Sequence, residues 1–310
     1  MNPIEFYNRY TKKIEEEQVY GEAFLRWAYE NPLGKLTTEL VIKRAFFSRW
    51  YGWRMNQKAS KKKIDPFIKQ FGVNENDFLE KKSNYASFND FFYRKLKKEA
   101  RPIHEGENSI IFPADGRHLG FQNVDECKGV FVKGQHFDLK GLLESNSLGE
   151  HFKGGSLILS RLCPVDYHRY HFPCTGKVIS QAFLPIAGSG VLYSVNPVAL
   201  AQDLSIFWKN KRLLTLLKTE HFGKVAILEI GATCVGSIVS SVENGDSVEK
   251  GSEKGYFRFG GSSVITLFEA GRIELDKDLI ENSIQNRELY AWMGDRMGEK
   301  IQSGSVSVGP

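Results

Sequence analysis

The sequence predicts an α+β fold, with a helical N-terminal region over residues 1–105 followed by a β-rich, sandwich- or barrel-like domain over residues 106–310. Three observations carry this. The first hundred residues are charged, helix-compatible stretches with few glycines; from Ile110 to Ile273 short apolar runs alternate with glycine; and 310 residues at 41% apolar and 25% charged suit one large domain or two modest ones with a substantial core.

In the N-terminal region the breaks fall at Asn31-Pro32 and near Asp65-Pro66, because a proline pushes the residue before it out of helical geometry. Phe46, Phe47, Trp50 and Trp53 recur there at helical spacing among Arg44, Arg49, Arg54, Lys58, Lys61, Lys62 and Lys63. An aromatic edge beside a basic one suits a helix lying in a lipid headgroup layer; the same aromatics also suit core packing or a dimer interface. Further along, GSLILS, KVAILEIG, CVGSIVSS and SSVITLFEAG read as strands. After Asp276, LIENSIQNRELYAWMGDRMG reads as a helix and SGSVSVGP as a loose tail.

Composition narrows the function classes. The excess of 42 Lys+Arg over 37 Asp+Glu gives a net charge of only +5. No recognisable nucleic-acid motif accompanies it, so no nucleic-acid partner is expected. Cys127, Cys163, Cys174 and Cys234 form no CxxC pair, so no zinc site or redox motif is readable, and a reducing cytoplasm is the default setting. With neither a signal-peptide core nor an apolar stretch of membrane-spanning length, any membrane contact is expected to be peripheral.

Three distant segments combine a chemically able side chain with an unusual backbone. FPADG places Asp115 at a tight turn, where it also suits a plain turn aspartate. SRLCPVDYHRYHFPCTG holds His168 and His171, two of only seven histidines, and histidine is the commonest general acid or base. YFRFGGSSVITLFEAG opens a strand with Gly260-Gly261-Ser262-Ser263. A glycine pair there suits a bulge or turn, yet glycine also leaves its carbonyl open to the neighbouring hydroxyl. Together they supply Asp, His and Ser, the parts of an activated hydroxyl nucleophile. A serine hydrolase remains open on this set, although the GxSxG elbow of α/β-hydrolases is absent.

These segments, with SFNDFFYRKLKKEARPI (87–103), KGQHFDL (133–139), LYSVNPVAL (192–200) and EIGATCVGSI (229–238), occur in the order found in the phosphatidylserine decarboxylases, which the chain closely resembles. The resemblance implies a self-cleaving proenzyme. Asp115, His171 and Ser262 would match the self-cleavage triad, and His168 the histidine of the decarboxylation step. Cleavage between Gly261 and Ser262 would give a β chain (1–261) and an α chain (262–310) capped by a pyruvoyl group made from Ser262. The family's Leu-Gly-Ser-Thr is Gly-Gly-Ser-Ser here; the scissile Gly-Ser bond is kept, and Ser263 keeps a hydroxyl. The implied substrate is phosphatidylserine, the product phosphatidylethanolamine, and the setting the cytoplasmic side of the cell membrane. On this reading 106–310 is the catalytic domain and 1–105 the membrane-associating or dimer region of a homodimer. An ether-lipid decarboxylase and a relative that has lost maturation are the neighbouring alternatives. Arg161 and Arg169, near the histidines, suit either the lipid phosphate or a structural ion pair.

Overall fold

The runs SLILSRL and SSVITLF are buried along their whole length, as expected of strands covered on both faces. The computed structural model describes residues 4–17, 31, 45–127, 137–185, 205–231, 238–258 and 262–302. Its strands are β1 (Glu5–Asn8), β2 (Lys13–Glu16), β3 (Ser109–Ile111), β4 (Gly116–Phe121), β5 (Ser156–Leu162), β6 (Arg169–His171), β7 (Gly176–Leu184), β8 (Arg212–Lys218), β9 (Lys224–Gly231), β10 (Ile238–Ser240), β11 (Ser247–Val248), β12 (Glu253–Phe257), β13 (Ser262–Phe268), β14 (Ile273–Leu275), β15 (Glu288–Ala291) and β16 (Arg296–Lys300). Its helices are α1 (Ala45–Asn56), α2 (Ile64–Phe71), α3 (Phe88–Phe92), α4 (Leu139–Leu143), α5 (Asn146–His151), α6 (Ile206–Lys209) and α7 (Lys277–Ile284).

Ten strands form one sheet in the order β11-β7-β8-β9-β13-β5-β4-β15-β1-β2, antiparallel except where β1 meets β15. The sheet ends at β11 and β2 and does not close, so the barrel alternative is corrected to an open, mixed α+β architecture. Two three-stranded sheets, β10-β12-β6 and β14-β16-β3, complete it. The first is tied to the large sheet by a buried ion pair, Lys254 Nζ of β12 donating to Glu229 Oε2 of β9 at 2.7 Å.

Part of the N-terminal region is helical. Pro66 sits in the first turn of α2, where its missing N–H costs nothing, and α2 ends at Gly72, whose φ of 62° lets its N–H reach back to the Ile68 carbonyl. Ser87 caps α3 by accepting from the Asp90 N–H at 3.1 Å. Met55, Ile64, Phe67, Phe78, Phe88, Phe91 and Phe92 pack into an apolar cluster of their own.

Two expectations are corrected. Residues 5–16 form a hairpin: Phe6 is buried, β1 pairs in parallel with β15, and the Arg9 guanidinium grips Asp278 at 2.6 and 2.7 Å. The helix after Asp276 stops at Ile284, because Asn286 turns the chain with φ 54°, and Glu288 onward runs as two strands. The tail from 303 lies outside the described residues.

Candidate active site

The sheet register brings two of the three segments to one end of the sheet. Ser262, the first residue of β13, pairs with Leu162 of β5 on one side and Gly231 of β9 on the other. Gly116, first in β4, pairs with Ala291 of β15 and lies so close to β5 that a Cβ there would sit 2.4 Å from the Arg161 carbonyl oxygen. Only glycine fits, which explains the Asp115-Gly116 order. Asp115 and Ser262 are therefore two strand spacings apart, about 10 Å between backbones.

The histidine segment is fastened to both. The His171 N–H donates to the Pro113 carbonyl at 2.7 Å, two residues before Asp115, and the Phe257 N–H donates to the His168 carbonyl at 2.9 Å, five residues before Ser262. Residues 259–261, including Gly260 and Gly261, lie outside the described residues.

The side chains have distinct surroundings. Asp115 is buried; its carboxylate accepts from Arg101 Nε at 2.9 Å and Nη2 at 2.6 Å, and from the Met293 N–H at 2.9 Å. His171 stacks on Tyr167 with centroids 5.8 Å apart, and its Nδ1 is buried without a hydrogen-bond partner. Burial, reinforced by the Arg169 charge, pushes this imidazole down to about 3, so it is neutral and able to take a proton at pH 7. His168 packs its ring 3.8 Å from the Phe92 centroid, and its Nδ1 meets the Asp166 carbonyl at 3.0 Å. A carbonyl only accepts, so Nδ1 carries the proton in the neutral ring. Ser262 is fully buried, and its Oγ has no hydrogen-bond partner. Buried hydroxyls in native folds are normally bonded, and on this strand Ser263 Oγ and Thr266 Oγ1 are also buried without a partner.

The four predicted residues thus share a neighbourhood without forming a hydrogen-bonded relay. Asp115 is engaged by Arg101 and bonds neither imidazole, and neither ring bonds Ser262 Oγ. Arg101, the ion-pair partner of Asp115, was missed by sequence reasoning although it lies in the quoted EARPI stretch; an arginine in a charged linker carries no mark of its partner. Arg161 and Arg169 prove to be structural ion pairs. Arg161 binds Glu288 and Glu17, each at 2.5 Å, and Arg169 binds Glu253 at 2.6 Å. Among the described residues no group of three or more His, Cys, Asp or Glu converges as a metal site.

The phosphatidylserine decarboxylase family model matches residues 88–301, a span holding Asp115, both histidines and Ser262. The chain belongs to the phosphatidylserine decarboxylase family. Similar proteins named phosphatidylserine decarboxylase proenzyme occur in Clostridium novyi (44% identity, 96% of this chain and all of the relative) and Clostridium tetani (43%, covering 97% and 99%). One from Fusobacterium nucleatum is 42% identical, covering 96% of this chain and 98% of its own. The likeness therefore extends through the N-terminal region as well as the matched span.

Proposed function

We propose that this chain is the proenzyme of a phosphatidylserine decarboxylase that cuts itself between Gly261 and Ser262. The observation that carries the reading is the buried, unpartnered Ser262 hydroxyl at the head of a central strand, in a family whose named relatives are proenzymes.

Neutral His171 is the base that takes the Ser262 hydroxyl proton, and Asp115 fixes the turn carrying Pro113, to which His171 is bonded. Ser262 Oγ attacks the Gly261 carbonyl carbon, and the peptide C–N bond gives way to an ester. Loss of the Ser262 α-proton then expels the ester carboxylate, and hydrolysis releases ammonia. The residues fit the resulting pyruvoyl group: Ser262 is held by its neighbours on both sides, and no hydrogen bond competes for its side chain. That group supplies an electron sink for the pair released when CO2 leaves. His168, its Nδ1–H fixed on the Asp166 carbonyl, exchanges a proton through Nε2 and returns one to the substrate carbon.

The same reading places the enzyme peripherally on the cytoplasmic face of the cell membrane. Trp50 and Trp53 of α1 support it, being 47% and 59% exposed beside exposed Lys58, Lys61 and Lys62. No described helix is long and apolar enough to cross a membrane. A homodimer is the competing use of that face.

Mass spectrometry of the purified protein tests the cleavage. The expected result is two chains, the smaller starting at position 262 with a pyruvoyl group and no free amine. Ser262→Ala and His171→Ala should remain single inactive chains, whereas His168→Ala should mature yet decarboxylate poorly. An active wild-type preparation containing only full-length chain would overturn the reading.

A further inference from the structure

Arg94 is a buried cation that no carboxylate of the described residues pairs by hydrogen bond or ion pair. It follows α3, is 5% exposed, and its Nε and Nη1 have no hydrogen-bond partner; no carboxylate among the described residues pairs with it. Its guanidinium rests on the Phe78 and Phe91 rings, 5.2 and 4.9 Å from their centroids, contacts that leave the N–H groups unused. Burial lowers its pKa to about 10, so it is still charged at neutral pH. Unpaired buried charges are expensive, and a fold that keeps one has a use for it.

Arg94 lines a cleft of about 400 Å³ between the turn after α2, the N-terminal hairpin and the head of β4. Two other arginines line it, but Arg101 is held by Asp115 and Arg117 by Asp166, at 2.6 and 2.7 Å. Of the cleft's five carboxylates, Asp115 and Asp77 face Arg101 at 2.6 and 3.6 Å and Asp166 faces Arg117, while Glu15, held by Asn8 and Thr11, and the exposed Glu16 lie on the hairpin side. Among the described residues, Arg94 is the cation of this lining that no carboxylate pairs. The cleft adjoins the candidate active site: Asp115 and Tyr167 line it, Phe92 packs on the His168 ring, and Arg169 Nε donates to the Tyr93 carbonyl at 2.9 Å.

We propose that Arg94 is the receptor for a phosphate group entering this cleft. The choice of phosphate over carboxylate rests on the decarboxylase reading. An arginine clamped on the carboxylate that departs as CO2 would stabilise the ground state and slow the reaction, whereas a phosphodiester keeps its charge throughout. A guanidinium fork also matches phosphate oxygens.

The test reads binding rather than turnover, so it stands or falls separately from the decarboxylase reading. Calorimetric titration of the wild-type protein uses glycerophosphoethanolamine, a soluble headgroup that cannot be decarboxylated, and inorganic phosphate. Tighter binding of the first assigns the site to a lipid headgroup, and tighter binding of the second to free phosphate. Arg94→Gln should weaken the preferred probe roughly tenfold or more, the loss expected for a charge-assisted hydrogen bond, and abolish the rise in Tm that the probe gives the wild type. Arg94→Lys, which keeps the charge and loses the fork, should weaken it severalfold, and carries the test if the Gln variant does not fold. Wild-type affinity in both variants, or no binding of either probe to the wild type, would overturn the proposal.

Discussion

Two buried imidazoles make the fold sensitive to acid. His118 of β4 meets Ser160 Oγ through Nδ1 at 2.9 Å and donates from Nε2 to the Ala291 carbonyl at 3.2 Å, so in the neutral ring Nδ1 accepts the serine proton. Burial pushes both His118 and His171 from the ordinary 6.5 down to about 3. Between those values the unfolded chain holds protons that the folded chain refuses, so stability is complete above pH 6.5 and falls as pH drops. The slope is roughly 1.4 kcal/mol per pH unit for each ring. Urea midpoints measured from pH 7 to pH 5 should decline accordingly, and His118→Gln, whose amide can serve both neighbours, should lessen the decline by about half; an unaltered slope would remove His118 as its source. At this scale the sequence was legible by residue type. Asp115, His168, His171 and Ser262 stand out because few side chains can do their chemistry. Arg94 and Arg101 did not, because an arginine's role depends on whether an anion faces it, which only the fold decides.

The elements divide by how local their signals are. GSLILS, KVAILEIG and SSVITLF read correctly as β5, β9 and β13, since apolar runs bounded by glycine have few other fates. The hairpin at residues 5–16 was not legible, because four-residue strands carry little periodicity and β1 finds its partner some 280 residues downstream. Residues 285–300 misled because ENSIQNRELYAW keeps helical spacing, while the stop rests on one asparagine in a left-handed conformation. The aromatic series was legible only in part: Trp50 and Trp53 emerge exposed on α1, whereas Met55 of the same helix turns into the apolar cluster. Co-sedimentation with vesicles containing anionic lipid should fall severalfold in a Trp50→Ser/Trp53→Ser variant, and should weaken with added salt. Unchanged sedimentation combined with a halved mass in solution would assign the face to a homodimer.

In the whole molecule, residues 262–302 are woven into the rest. β13 lies between β9 and β5, β15 between β4 and β1, and β16 between β14 and β3. Breaking the bond before Ser262 leaves the seven-residue registers on both sides of β13 in place. The two chains of a matured protein should therefore co-elute on native gel filtration and part only in denaturant; separation under native conditions would contradict this topology. The same weaving orders events during synthesis. The Met293 N–H that completes the Asp115 carboxylate, and the strand on which β1 docks, both belong to the last tenth of the chain. A nascent polypeptide made only as far as residue 280 has the serine and both histidines but lacks the donor that sets the aspartate, so the candidate site is assembled only once synthesis has passed residue 293.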